Sequence, residues 1–98
     1  MKIFPFIIIT FLIPPGKITF ATVHYVGAGK EFHAIQEAIN TSQTGDTIVV
    51  APGIYKEKNI IVNKSLVLLG VNYPVLDGAE KYEIVSVKAD NVVLKGIE

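Results

Sequence analysis

Apolar residues in the second half of the chain come in short runs rather than at helical spacing. From residue 47 onward each run holds two to four consecutive residues that are mostly aliphatic or β-branched. Runs of this length and content are typical of β-strands. The predicted strands are Ile48-Val49-Val50, Ile60-Ile61-Val62, Leu66-Val67-Leu68-Leu69, Val75-Leu76, Ile84-Val85-Ser86-Val87 and Val92-Val93-Leu94.

Turn-forming residues separate these runs, among them Pro52-Gly53, Asn63-Lys64, Asp77-Gly78 and Asp90-Asn91. Several of the breaks hold only two to five residues. That is too few for the helical crossover of an ordinary parallel α/β sheet. Two arrangements therefore remain: antiparallel hairpins, or coils in which each rung stacks on the one before.

One internal repeat favours stacked coils. Residues 66–71 read Leu-Val-Leu-Leu-Gly-Val, and residues 92–97 read Val-Val-Leu-Lys-Gly-Ile, at an offset of 26. A period in the twenties is a signature of solenoid folds, in which equivalent residues of successive coils form aliphatic columns. We therefore expect a parallel solenoid.

The segment before residue 46 predicts a strand followed by a helix. Residues 23–26 form a β-branched and aromatic run that ends at Gly27-Ala28-Gly29, as a strand entering a turn does. Phe32, Ile35, Ala38 and Ile39 then follow a spacing of three and four, which marks one apolar face of a helix. Because the first coil of a solenoid exposes an open core and unpaired strand edges, we expect this helix to cover them.

The segment from Met1 to Ala21 has the layout of a cleavable signal peptide. Met1 and Lys2 give a positive start, residues 3–13 are almost wholly apolar, and Thr19-Phe20-Ala21 places small residues before a cut after Ala21. The apolar run is shorter than the about 18 to 20 residues of a membrane span, and prolines interrupt it. We expect a periplasmic or secreted protein without a permanent membrane anchor.

The segment from Thr22 to Glu98 is faintly acidic. The whole chain has nine basic and nine acidic residues, and removal of Lys2 and Lys17 leaves seven basic residues against nine acidic ones. Such a balance, without basic runs, gives no electrostatic reason to expect a nucleic-acid partner. The chain has no cysteine, so an exported fold of this sequence depends on apolar burial rather than on disulfides.

Three motifs together resemble the first segment of pectin-lyase-like right-handed parallel β-helices. They are Phe-His-Ala-Ile-Gln-Glu-Ala-Ile at residues 32–39, the stretch from Gly45-Asp46 through Pro52-Gly53 to Tyr55-Lys56-Glu57, and Asn-Lys-Ser-Leu-Val-Leu-Leu-Gly at residues 63–70. The resemblance implies an all-β fold: residues 22–98 form the N-terminal coils of a parallel β-helix, incomplete as given, with one short capping helix.

Local chemistry agrees with this resemblance at two positions and departs from it at one. Gly45-Asp46 suits a tight turn before a buried strand, and Tyr55 is expected to cover the core while its hydroxyl stays in solvent. The departure is Ala34, where such helices often carry Ser or Thr. Without a side-chain oxygen the N-cap bond is missing, at a cost of about 1 kcal/mol, and the helix start is expected to fray or to shift toward His33.

A narrower resemblance covers the second half of the chain. Asn-Tyr-Pro-Val-Leu-Asp-Gly at residues 72–78, followed by residues 84–87 and 90–96, is similar to periplasmic NosD-type proteins. These are implicated in the maturation of the copper sites of nitrous oxide reductase. The resemblance implies a partner in the periplasm, either a protein or a carbohydrate.

No residue pattern in the sequence predicts a catalytic, cofactor-binding or metal site. The acidic residues form no recognisable catalytic pair, and Asp46, Asp77 and Asp90 lie beside Gly or Asn, where a carboxylate accepts backbone N–H bonds in a turn. Glu57 is expected at a solvated position. His24 and His33 lack a spacing typical of metal ligands.

The sequence leaves three functions open. The favoured one is an exported, non-catalytic β-helix that binds a carbohydrate or a periplasmic protein, with NosD-type maturation as its sharpest version. The second is a polysaccharide lyase, hydrolase or pectin esterase whose catalytic residues lie beyond residue 98. The third is a structural or adhesive surface solenoid, since this scaffold does not fix function.

Overall fold

Parallel sheets with one short helix make up the fold. A computed structural model of the chain describes residues 21–80 and 83–98. Apart from Ala21, the predicted signal peptide lies outside the described residues. The elements are β1 (Val23–Val26), α1 (Ile35–Thr41), β2 (Thr47–Val50), β3 (Ile54–Tyr55), β4 (Ile60–Val62), β5 (Val67–Gly70), β6 (Val75–Leu76), β7 (Val85–Val87) and β8 (Val93–Lys95).

The strands form three sheets, which we call the main, second and third sheets. The main sheet has the order β1-β2-β5-β8, the second pairs β3 with β6, and the third pairs β4 with β7. From β2 onward the chain visits main, second and third sheets in turn, repeats that order, and ends in the main sheet. Every strand pair among the described residues is parallel, so the hairpin alternative is wrong.

The offset of 26 residues in the internal repeat equals the sequence separation between paired residues of β5 and β8, the last strand pair of the main sheet. Val67 lies beside Val93, and Leu68 lies beside Leu94. The preceding pair of the main sheet has a shorter offset, because Ile48 of β2 lies beside Leu68 of β5. The interval is therefore not constant, because the connecting turns differ in length.

Alternation along the strands of the main sheet separates a buried column from an exposed one. Ile48, Val50 and Leu68 are fully buried, whereas Val49 between them is half-buried on the other face. Period-two burial of this kind follows from strand geometry, in which successive side chains point to opposite faces. Leu94, the next residue of the inner column, is exposed.

The third sheet closes the core from another side, and the helix covers one end. Ile60 and Val62 of β4 are fully buried, as are Ile35 and Ile39 of α1. The helix contacts β1, β2 and β4. It therefore packs over the apolar side chains of the first strands, as its amphipathic pattern predicts.

The helix begins later than its apolar spacing indicated. It starts at Ile35 with Ala34 as N-cap, and the predicted shift toward His33 is wrong. Phe32 is not helical: it forms an isolated bridge with Val26, and Gly27 N–H donates to its carbonyl at 2.8 Å. Among the described residues no helix is long and apolar enough to cross a membrane.

Candidate functional site

An exposed column of side chains runs across the outer face of the main sheet. Register places Tyr25, Val49 and Leu69 beside one another on adjacent strands, and Lys95 continues the row. Tyr25 is 49% exposed, and Val49 and Leu69 are half-buried. Aromatic and aliphatic groups thus form an open strip across three strands, and Lys95 on the fourth strand ends it.

Two open depressions follow this strip and share Val49 and Val71. One, of about 540 Å³, is also lined by Leu69, Tyr73 and Lys95. The other, of about 220 Å³, is also lined by Tyr25, Lys30 and Pro52. We call the combined surface the outer groove. Its defining residues are Tyr25, Lys30, Val49, Leu69, Val71, Tyr73 and Lys95.

The outer groove combines apolar walls with donors at its margins. Val71 is exposed and Tyr73 is 67% exposed, so both side chains are accessible to a ligand. Lys30 and Lys95 are both exposed and supply ammonium donors. Such a surface suits an elongated ligand with apolar faces and polar edges.

Sequence patterns alone did not reveal the residues of the outer groove. Tyr25, Leu69 and Tyr73 belong to strand or turn patterns that carry no functional signature. The signal that separates inner from outer positions is the phase of alternation within each strand. That signal becomes useful only when the register between strands is known, because register decides which outer residues become neighbours.

A second cluster lies inside the fold, where His24 meets Asp46. His24 Nε2 lies 3.0 Å from Asp46 Oδ2, and both residues are buried. Asp46 also accepts hydrogen bonds from the backbone N–H groups of Thr22 and Gln43, each at 2.9 Å. The turn role predicted for Asp46 is confirmed by the bond from Gln43. Asp46 also connects this turn to β1, through its hydrogen bond with His24.

The charge state of Asp46 follows from these donors. Burial by itself raises the pKa of Asp46, but the hydrogen bonds from Gln43, Thr22 and His24 outweigh burial, and the pKa lies below its ordinary value. The carboxylate is therefore ionised over the ordinary pH range and acts only as an acceptor.

The other two predicted turn aspartates behave differently from each other. Asp77 Oδ1 accepts from the backbone N–H of Ala79 at 3.0 Å, which confirms the expected Asx-type turn. At Asp90 the observed bond uses the main chain instead, because its carbonyl accepts from the Ser65 hydroxyl at 2.5 Å. The turn role of the Asp90 carboxylate itself stays a prediction.

Glu57 caps the helix rather than lying in solvent. Its carboxylate accepts hydrogen bonds from the backbone N–H groups of Ile35 at 2.7 Å and Gln36 at 3.1 Å. These are two of the donors that the first turn of a helix leaves unpaired. The cap that Ala34 cannot supply comes from a distant residue, so the solvated position predicted for Glu57 is wrong.

Tyr55 covers the core, and its hydroxyl is hydrogen-bonded to the main chain. It is buried, and its hydroxyl donates to the carbonyl of Ala51 at 2.7 Å. Burial, helped by the nearby Glu57 carboxylate, raises the pKa of the Tyr55 hydroxyl. The hydroxyl thus fastens the turn between β2 and β3, a role that the sequence did not predict.

The two histidines occupy separate places. His33 is exposed and lines an open depression of about 530 Å³ with Pro52 and Tyr55, whereas His24 is buried beside Asp46. Within residues 21–80 and 83–98, no group of three or more His, Cys, Asp or Glu side chains is arranged to hold a metal ion.

Comparisons with protein-family models, with curated proteins and with solved structures found no match for this chain. The likeness to pectin-lyase-like and NosD-type proteins thus rests on the residues quoted above.

Proposed function

We propose that this chain forms the first coils of an exported, non-catalytic right-handed parallel β-helix that binds a carbohydrate along its outer groove. The observation that carries the proposal is the in-register row of Tyr25, Val49 and Leu69, with Tyr73 exposed at its margin. A row of this kind presents apolar and aromatic surface across successive strands.

The arrangement of strands supports the β-helix part of the proposal. All pairs among the described residues are parallel, and the chain visits the three sheets in the same order twice. Parallel connections within one sheet are almost always right-handed because of strand twist. Both observations favour a right-handed solenoid.

The chemistry of the outer groove supports a carbohydrate rather than a compact small molecule. Sugar rings have apolar C–H faces, which pack on aromatic side chains, and hydroxyl edges, which need hydrogen-bond donors and acceptors. Tyr25 and Tyr73 supply aromatic surface for the C–H faces. Lys30 and Lys95 supply hydrogen-bond donors for the hydroxyl edges at the margins of the groove. A flat and open groove fits an oligosaccharide chain better than it fits a ligand that needs enclosure.

The test is binding to a panel of oligosaccharides, followed by calorimetry on the best ligand. Tyr25→Ala and Tyr73→Ala are each expected to weaken binding at least about fivefold, since an aromatic contact contributes about 1 kcal/mol beyond area burial. Ile54→Ala is the matched control, because Ile54 is as exposed as Tyr73, at 67%, and lies on β3 outside the groove.

Two results would contradict the carbohydrate proposal. One is the absence of binding to every oligosaccharide on the panel by a folded protein. The other is equal affinity in the control and in a Tyr25→Ala/Tyr73→Ala double variant. Thermal unfolding of each variant distinguishes loss of a contact from loss of fold.

Export is part of the same proposal and is tested separately. The layout of residues 1–21 predicts cleavage after Ala21, so N-terminal sequencing of the exported protein is expected to begin at Thr22. An exported form that still begins at Met1 would contradict a cleavable signal.

The NosD-type resemblance supplies the most specific form of the proposal, a role in maturing the copper sites of nitrous oxide reductase. Deletion of the gene is then expected to lower the copper content of that enzyme in the source organism. Normal copper loading after deletion would contradict this form and leave the carbohydrate test unaffected.

A further inference from the structure

His24 stands at an inner position of the main sheet where neighbouring strands carry aliphatic residues. Register places it beside Ile48, which in turn lies beside Leu68, and both of these are fully buried. His24 itself is only 8% exposed. A polar ring at such a position costs free energy unless both of its nitrogens are paired.

Only one nitrogen of His24 has a hydrogen-bond partner among the described residues. Nε2 lies 3.0 Å from Asp46 Oδ2. Since the ionised Asp46 carboxylate can only accept, Nε2 carries the hydrogen of this bond. In the neutral imidazole the remaining nitrogen, Nδ1, is then a bare acceptor.

Nδ1 is buried without a hydrogen-bond partner in the described part of the chain, and it faces a carboxylate. The nearest one is Glu31, whose Oε1 lies 3.7 Å from Nδ1. Two acceptors at this separation do not attract each other. A proton on Nδ1 changes this contact, which at 3.7 Å is longer than a hydrogen bond, into an ion pair in which the Glu31 carboxylate is attracted toward the ring.

Packing holds the ring in this orientation. Phe32 meets it edge to face, with ring centroids 5.8 Å apart. Phe32 and Glu31 both belong to residues 27–32, the turn that leaves β1. The turn and the ring are therefore in contact at two adjacent residues.

We propose that His24 Nδ1 is a proton-binding site that fastens the turn of residues 27–32 to the main sheet through Glu31. At acidic pH the imidazolium bridges Asp46 on one side and Glu31 on the other. At higher pH Nδ1 loses its proton, and the Glu31 carboxylate, whose side chain is 55% exposed, moves into solvent.

The charged surroundings of His24 leave Glu31 and Asp46 as its partners. Among the described residues no other carboxylate lies within 4.0 Å of its ring nitrogens. The helix that packs on β1 carries Glu37, and the turn carries Lys30; both side chains are exposed. Because Asp46 is already bonded to Nε2, Glu31 is the residue to change.

The experiment is an NMR titration of the two imidazoles between pH 4 and 8 in the whole chain, with His33→Gln used to assign the exposed histidine. In Glu31→Gln the midpoint of proton uptake by His24 is expected to move to lower pH, because the variant removes the negative charge that faces Nδ1. Backbone amides of residues 27–32 are expected to shift with the same midpoint. Glu80→Gln, which removes an exposed carboxylate elsewhere, is the control.

An unchanged His24 midpoint in Glu31→Gln would overturn the proposal. So would turn amides that shift with the midpoint of His33 instead of that of His24. Because Glu31 is exposed and Glu31→Gln keeps the side-chain size, loss of fold is not expected, and the amide spectrum of each variant reports it directly. The readout needs no ligand, so failure of carbohydrate binding leaves this test intact.

Discussion

Glu57 caps a helix that begins 22 residues before it: its Oε2 accepts the backbone N–H of Ile35 at 2.7 Å, and its Oε1 accepts that of Gln36 at 3.1 Å. A negative charge at this end also interacts favourably with the helix dipole. At the C-terminal end of the helix, the ammonium group of Lys64 donates a hydrogen bond to the carbonyl of Ser42 at 2.6 Å. Residues of the strand region thus hold both ends of α1.

The first prediction concerns this cap. Glu57→Ala is expected to lower the free energy of unfolding by about 1 to 2 kcal/mol, because two helix N–H groups lose their acceptor. Chemical denaturation measures the change. A local cap should compensate: Ala34→Ser supplies a hydroxyl at the N-cap, whose backbone is already extended at φ −122° and ψ 142°.

The rescue separates capping from other effects of the substitution. Ala34→Ser is expected to stabilise the Glu57→Ala variant more than it stabilises the unaltered chain, where the N–H groups already have partners. Lys56→Ala, at the exposed neighbouring position, should change little. Equal effects of Ala34→Ser in both backgrounds would contradict the cap.

Sequence patterns identified the strands well and the long-range contacts poorly. All six apolar runs after residue 46 became strands, because the run length and turn residues that signal a strand are local. The two-residue strand β3 was missed, because Ile54-Tyr55 lies between Pro52-Gly53 and a run of charged residues and so resembles part of a turn. The helix begins where the carboxylate of Glu57 accepts its first backbone N–H group, and Glu57 lies 22 residues further along the chain.

The same limit applies to the candidate sites. His24 and Asp46 meet because β1 pairs with β2 in one register, and a shift of one residue would turn His24 toward the outer face. Tyr25 and Leu69 share a surface for the same reason. Neither pair has a short-range signature, so both became visible only when the strand pairing was known.

The second prediction concerns Gly70, which the repeat shares with Gly96. A Cβ on Gly70 would lie against the Gly96 carbonyl oxygen and against Pro74 Cδ at 2.7 Å. Gly70→Ala is expected to lower the free energy of unfolding by about 3 kcal/mol, because a backbone carbonyl cannot rotate away as a side chain can. Thermal or chemical unfolding measures the loss.

Gly29→Ala is the matched control. Gly29 has φ +74°, but a Cβ there would meet nothing within 4 Å, so only the backbone conformation is penalised, at about 1 kcal/mol. If Gly29→Ala cost as much as Gly70→Ala, close packing between β5 and the residues after β8 would not be the cause.

The third prediction concerns acid. Because the folded-state pKa of Asp46 lies below its unfolded value, its contribution to stability is complete above the unfolded pKa and is lost as pH falls through the folded pKa. The free energy of unfolding is therefore expected to fall as the pH drops below about 4, the ordinary pKa of an aspartate, and Asp46→Asn should flatten that part of the profile. Asp77→Asn, at an exposed turn, should leave the slope unchanged; equal flattening by both would contradict the assignment to Asp46.

The last prediction concerns Gln36, whose side chain pairs with strand β4 as a neighbouring strand would. Its Oε1 accepts the backbone N–H of Ile61 at 2.7 Å, and its Nε2 donates to the carbonyl of the same residue at 3.1 Å. An unpaired strand edge invites pairing with other chains, and this side-chain amide covers both backbone polar groups of Ile61 at that edge.

Gln36→Ala is expected to speed hydrogen exchange of the Ile61 amide roughly tenfold and to lower the free energy of unfolding by about 1 kcal/mol. Gln43→Ala, at an exposed position after the helix, should leave Ile61 exchange unchanged. If Ile61 exchanged at the same rate in both variants, its protection would have to come from the sheet alone, and Gln36 would have no part in closing the edge of β4.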